Sequence, residues 1–186
     1  FGARLVVFPA LAKAGKSTLT VQLAAAGYPV FSDDVLPIHL RTGQGEAMGM
    51  VPRLRPPLPP SLGPTTRRFV AERAGPRRTN RFYVLLREGE CVPYGVRAPI
   101  GGVVLLERAA GARATLTPID PADALEALLL QNFTTDRPAA AILDALAGAV
   151  EGSACYRLRY ARGAAAIERL GEAFGPPPGG AARSGL

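Results

Sequence analysis

The sequence predicts an α/β fold with a mixed sheet, antiparallel hairpins and C-terminal helices, and three observations carry that expectation. Near the start, the apolar run Leu5-Val6-Val7-Phe8 enters a turn rich in glycine and lysine, and a helix-compatible stretch follows. The middle of the chain reads as short strands separated by turns. The last third is helical in period, broken by one alternating run from Cys155 to Tyr160.

Leu5 to Phe8 is the kind of apolar run that sits buried in a sheet. The turn after it, A-L-A-K-A-G-K-S from Ala10 to Ser17, is the P-loop pattern G-x-x-x-x-G-K-[ST] with Ala10 at the first glycine. In such a loop, backbone N–H groups and a helix N-terminus converge on one anion, which selects a nucleotide phosphate. Ala10, Lys13, Ala14, Gly15, Lys16, Ser17 and Thr18 are therefore the candidate nucleotide-binding residues. Gly15 lets the backbone approach the phosphates, Lys16 reaches the β and γ oxygens, and the Ser17 hydroxyl suits Mg²⁺. Of the 22 basic residues only Lys13 and Lys16 are lysines, so an arginine-using chain keeps the compact ammonium in this loop.

Thr18 to Ala26 suits a helix with Leu19 and Leu23 on one face, and Gly27 stops it. Tyr28 to Phe31 then reads as a second strand ending in Ser32-Asp33-Asp34. Ligands collect at the carboxyl ends of strands in α/β sheets, which places Asp33 and Asp34 beside the loop. Two carboxylates next to a triphosphate can hold Mg²⁺ and take the proton of an attacking hydroxyl.

Thr42 to Pro64 is dense in Gly and Pro and reads as a long loop. Its Arg53 and Arg55, with Arg97 further on, are candidate cations for the phosphate or the acceptor. Basic residues cluster from Arg67 to Arg81 with few aromatics for base stacking, so an anionic nucleotide or an acidic partner is as good a target for them as DNA. Phe82 to Leu86 and Cys91 to Tyr94 read as a hairpin around Arg87-Glu88-Gly89-Glu90. Gly101-Gly102 precedes a buried strand, Val103 to Leu106, and Ala114 to Thr117 alternates like a further strand.

Asp120 is an N-cap with Pro121 at N1, starting a helix through Leu130. A second helix spans Pro138 to Val150, Cys155 to Tyr160 is an edge or half-buried strand, and Ala164 to Phe174 is the final helix. The chain of 186 residues, 48% hydrophobic, fits one domain over residues 1–174 with a disordered tail over 175–186. It opens on Phe1, directly before the first strand, and reads as a fragment of a longer protein.

The +7 charge and pI near 10.1 follow an Ala-, Arg-, Gly- and Pro-rich composition that runs throughout. No apolar run reaches the ~18 residues of a membrane span, so no membrane partner is expected. Cys91 and Cys155 form no C-x-x-C pair and read as reduced thiols, and a lone His39 builds neither a metal site nor a triad.

Taken together, P-A-L-A-K-A-G-K-S-T-L, G-Y-P-V-F-S-D-D, M-V-P-R-L-R-P-P, L-T-P-I-D-P-A-D-A-L and C-Y-R-L-R-Y resemble the HPr kinase-related proteins, relatives of the kinase domain of bacterial HPr serine kinase/phosphorylase. The resemblance covers about residues 3 to 174. It implies the P-loop fold shared by HPr kinase and phosphoenolpyruvate carboxykinase, a bacterial cytoplasmic location, and an ATP- and Mg²⁺-dependent kinase acting on serine. Gly15, Lys16 and Ser17 match the phosphate loop of that family, and Asp33 and Asp34 match its acidic pair. The resemblance makes Lys16, Asp33 and Asp34 the catalytic set, with Asp33 favoured as the base, Ser17 and Asp34 as the metal ligands, and the two acids able to exchange roles. Where HPr kinase itself has glycine, Ala10 and Lys13 stand here, and the histidine it carries just upstream of the loop is not in this chain. These departures point away from HPr as substrate; the resemblance to shortened relatives that act beside ribosomally made peptides implies a peptide acceptor instead, a precursor peptide or its recognition protein, and the family's hexamer implies that a homo-oligomer is open to this chain. Three other classes remain open: a non-catalytic nucleotide sensor, a basic adaptor for nucleic acid or an acidic peptide acting through Arg67 to Arg81, and, ranked last because the chain has only His39 and two lysines, a decarboxylating carboxykinase.

Overall fold

The computed structural model describes residues 1–11 and 14–178. In chain order the elements are β1 (Leu5–Val7), α1 (Lys16–Ala25), β2 (Gly45–Glu46), β3 (Arg53–Leu54), α2 (Pro64–Glu72), β4 (Ala74–Arg78), β5 (Arg81–Val84), β6 (Arg97–Ala98), β7 (Ile100–Arg108), β8 (Thr115–Pro118), α3 (Pro121–Gln131), α4 (Ala139–Glu151), β9 (Ala154–Tyr160) and α5 (Gly163–Phe174). This is a mixed α/β fold closing in C-terminal helices, as the periodicity predicts.

The main sheet has the order β1-β7-β9-β8. β1, β7 and β9 run parallel and β8 pairs antiparallel to β9, which makes the sheet mixed. Alternation along β7 divides its side chains between two cores. Val104 joins Leu158, Tyr160 and α1 and α5 residues on one face, while Val103 joins Leu5, Val7, Cys155 and α3 and α4 residues on the other. A third core lies across α1, where Val21 meets Leu54, Val70, Phe82 and Val84 of the small β3-β5-β4 sheet and α2. Helix α1 is thus held on two sides, with Leu19 and Leu23 against the main sheet and Val21 against the small one.

Several expectations are corrected. Tyr28 to Phe31 is not a strand of the main sheet: Val30 makes only an isolated parallel bridge to Cys91, and Pro29 has no N–H to extend a ladder. The hairpin partner of β5 lies upstream, not downstream. β5 pairs with β4, inside the basic cluster, and with β3, while Cys91 is confined to bridges with Val30 and Glu88. β9 alternates between buried and exposed, as the half-buried alternative has it, but is not an edge, since it lies between β7 and β8. The Gly/Pro-dense loop contains two-residue strands.

Two arginines of the basic cluster are spent on structure, while Arg68, Arg77 and Arg78 stay exposed. Arg67 donates to the Leu62 and Pro59 carbonyls at 2.9 and 2.7 Å. Arg73 lies under the Phe69 ring and pairs with Glu90, with only 9% and 19% of the two side chains exposed. Residues 175–178 of the expected tail pack back, since Tyr28 Oη donates to Gly175 O at 3.2 Å and Pro177 lies against Gly27. Residues 179–186 lie outside the described residues. Both cysteines are free, with Cys155 buried. Among the described residues no helix is long and apolar enough to cross a membrane.

Gly101 and Gly102 belong inside β7, not before it, because neighbours occupy the space a side chain would fill. A Cβ on Gly102 would stand 2.5 Å from the Phe174 ring, and one on Gly101 2.5 Å from the Arg4 side chain. Gly102→Ala is expected to displace Phe174 and cost ~1–3 kcal/mol, read as a lower midpoint in denaturant with unchanged slope.

Candidate functional site

The site begins where β1 ends. Between Val7 and Lys16 the chain turns so that Gly15 becomes the N-cap of α1 with φ +95, a left-handed conformation that favours glycine. Neither a side-chain cap nor an acidic residue occupies the first turn of α1, so no side chain of the cap satisfies its leading amides. Lys16 Nζ donates to Ala10 O, folding back across the loop. Ala10 needs no glycine, since among the described non-glycine residues only Asp34 and Thr79 have left-handed φ. Lys13 lies outside the described residues.

The acidic pair stands beside this loop, although the strand expected to deliver it is missing. A tight turn replaces that strand. Val35 N donates to Asp33 O at 2.9 Å, closing a three-residue turn around Asp34, whose φ is +69. A γ-turn of this hand is rare and strained. The Ser32 hydroxyl donates to Val35 O, and Asp33 N donates to Met50 O at 3.3 Å.

The turn sends the two carboxylates to different surroundings. Asp34 ion-pairs with Arg53 from β3, both side chains about one-third exposed. Asp33 is only 4% exposed. Thr20 Oγ1, one helical turn beyond Lys16, donates to Lys16 O at 3.0 Å and reaches Asp33 Oδ1 at 3.5 Å. Asp33 Oδ2 is buried and meets no hydrogen-bond partner. Burial pushes the Asp33 carboxyl above the ordinary aspartate value; the nearby Ser17 hydroxyl pulls it back, and the Asp34 charge adds to the rise.

Lys16, Thr20, Asp33 and Asp34 line one end of a cavity of about 390 Å³, which continues between the 31–40 segment and the ends of α3 and α4. Of the other candidate cations, Arg55 is exposed and lies away from the cavity wall. Arg97 pairs with Glu46 at 2.6 Å across β2 and β6, beside the start of β7.

The opposite end of β7 carries a residue that sequence reasoning missed. Arg108 Cδ and Tyr160 Oη, at the ends of β7 and β9, lie 3.9 and 3.6 Å from where a Gly15 Cβ would be. Arg108 donates to Ser61 Oγ at 3.0 Å. The segment from Arg53 to Ser61 is therefore pinned at one end to Asp34 and at the other to Arg108. The rule that placed Asp33, ligands at carboxyl ends of parallel strands, also points to Arg108 once β7 is known to run to that residue.

Among the described residues no group of three or more His, Cys, Asp or Glu could hold a metal ion. Mg²⁺ bound with phosphates needs only one or two carboxylates. The Ser17 hydroxyl and the Asp34 carboxylate, beside the buried Asp33 whose Oδ2 is left unpartnered, are hard oxygen donors that fit it.

Because the Asp33 value is raised in the fold, its contribution to stability is fully present only where the carboxyl is protonated and is lost as the pH rises through that value. Asp33→Asn is expected to raise the melting midpoint by a few degrees at neutral pH, ~1 kcal/mol, with the gap closing in acid. Calorimetry across pH checks both parts.

No family model, curated protein or solved structure matches this chain.

Proposed function

We propose that this chain is an ATP-dependent kinase of the HPr kinase-like P-loop type, transferring the γ-phosphoryl group to a serine hydroxyl of a peptide or protein. One observation carries the reading: a buried carboxylate oxygen without a partner, Asp33 Oδ2, stands beside Lys16 and the uncapped N-terminus of α1. Burying a charge without a partner costs stability, and such cost is met where the group is used.

In this reading the α1 amides and Lys16, released from Ala10 O, hold the β and γ phosphates. Ser17 and Asp34 are the residues that would hold Mg²⁺, which supplies charge neutralisation on the transferred group. Until then Arg53 compensates Asp34. Asp33 accepts the acceptor proton on Oδ2, and its raised affinity for a proton suits that task. The serine oxygen bonds to the γ-phosphorus as the bond to the ADP oxygen breaks, and ADP leaves with the electron pair. Arg108, across the loop, trades Ser61 for a phosphate oxygen.

A second reading, nucleotide sensing without transfer, is favoured by the segment from Arg53 to Ser61. Phosphate and metal compete for both of its pins, so binding alone would release it. The readings separate on Asp33→Asn, which abolishes transfer of labelled phosphate in the first and leaves all nucleotide responses intact in the second.

Mg-ATP at 100 times its dissociation constant is expected to stabilise the fold by ~2.7 kcal/mol, and Lys16→Ala to remove that shift together with turnover. A folded Lys16→Ala protein that keeps both overturns the phosphate-loop assignment. Arg108→Ala is expected to weaken ATP binding about tenfold by titration calorimetry while leaving the unliganded midpoint in place.

A further inference from the structure

We infer that the acceptor is a peptide whose serine adjoins a bulky aliphatic or aromatic residue, and that the cavity beside the acidic pair receives that residue. The inference rests on the kinase reading and adds the substrate class to it.

The cavity has a charged end and an apolar remainder. Its charges among the described residues, Lys16, Asp33 and Asp34, all stand at the phosphate-loop end. Away from that end, Leu36, Ile38, Leu128, Ile142 and Leu146 supply the wall. A hydroxyl placed to give its proton to Asp33 Oδ2 has the rest of its molecule in this space. An acceptor with an anionic body would face two carboxylates, with Lys16 already engaged by the donor, and a sugar would set hydroxyls against the aliphatic wall of Leu36, Ile38, Leu128, Ile142 and Leu146, where only the rim residues Gln131, Asn132 and Thr134 could partner them. An apolar group next to the hydroxyl meets neither cost. About 390 Å³ is the size of a small-ligand site, enough for such a side chain with its neighbouring backbone.

Apolar surface continues beyond the cavity, which favours a chain over a small alcohol. Leu40 and Phe133 belong to the lining and are 42% and 72% exposed. Leu130 and Leu143, next in sequence to the lining residues Gln131 and Ile142, are 71% and 44% exposed. Apolar groups gathered at the mouth of a groove mark an interaction surface, whereas the same residues scattered singly would mean nothing. Neutral Gln131 and Thr134 on this rim match the uncharged amides of a peptide backbone.

The test compares fluorescein-labelled peptides of one length, Gly-rich apart from a central serine, with Leu, Phe, Asp, Lys or Gly on both sides of it. Transfer from labelled Mg-ATP is followed for the wild type and for Phe133→Ser and Leu40→Ser, two exposed positions where folding is not at stake. The Mg-ATP thermal shift is recorded in parallel for all three proteins. Leu- and Phe-flanked peptides are expected to react at least about tenfold better in kcat/KM than the Asp-, Lys- and Gly-flanked ones. Both variants are expected to narrow that preference with their Mg-ATP shift unchanged. Equal rates for all flanks, a preference for charged flanks, or no transfer to any peptide in a protein that shows the Mg-ATP shift overturns this inference and leaves the phosphate site standing. Absence of the Mg-ATP shift in the wild type overturns the kinase reading, and the acceptor inference with it.

Discussion

Helix α1 is the member on which the site depends, and what fixes it is burial on two opposite sides. Leu19 and Leu23 are pressed into the core shared by β7, β9 and α5, and Val21 into the core of the small sheet. The position of its N-terminus, and of Gly15, Lys16, Ser17 and Thr20 with it, is a result of packing made well away from the loop. Phosphate recognition through backbone amides tolerates little displacement, so a helix clamped between two sheets is a physical precondition for the chemistry proposed here.

The same small sheet has a second role. β3, which packs against α1 through Leu54, carries Arg53 one residue earlier, and Arg53 is the partner of Asp34. Core packing and site electrostatics are therefore linked through adjacent residues of one two-residue strand. The chain between Arg53 and Ser61 contains Pro56, Pro57, Pro59 and Pro60, which restrict φ and leave few ways to move other than at the ends. Both ends are held by side chains that bound phosphate or metal would recruit.

Sequence reasoning recovered what is coded locally. Asp120 does cap α3, accepting from Ala122 N at 2.8 Å with Pro121 in the first turn, and the strand Leu5–Val7 and the helix starting at Lys16 stand where they were read. It failed where pairing is long-range. Tyr28 to Phe31 has the composition of a strand, but the neighbour it meets is the turn at Cys91, and composition does not encode neighbours. Gly101 and Gly102 look like breakers, and only the Phe174 ring and the Arg4 stem above them explain glycine inside a central strand. The position of the acidic pair beside the loop was legible from its spacing behind it. The different fates of Asp33 and Asp34 were not, because they depend on Arg53, nineteen residues later, and on a γ-turn that no propensity announces.

Asp33 works against the fold that contains it, since a buried carboxylate with one oxygen unpartnered is a standing cost. Drift therefore has a direction at this position. A descendant no longer held to the reaction gains by replacing the acid, whereas Lys16, which folds back onto Ala10 O within its own loop, is under less pressure to go. Under the kinase reading proposed above, loss of chemistry along such a lineage would show first as a neutral residue at position 33 behind an intact G-K-S.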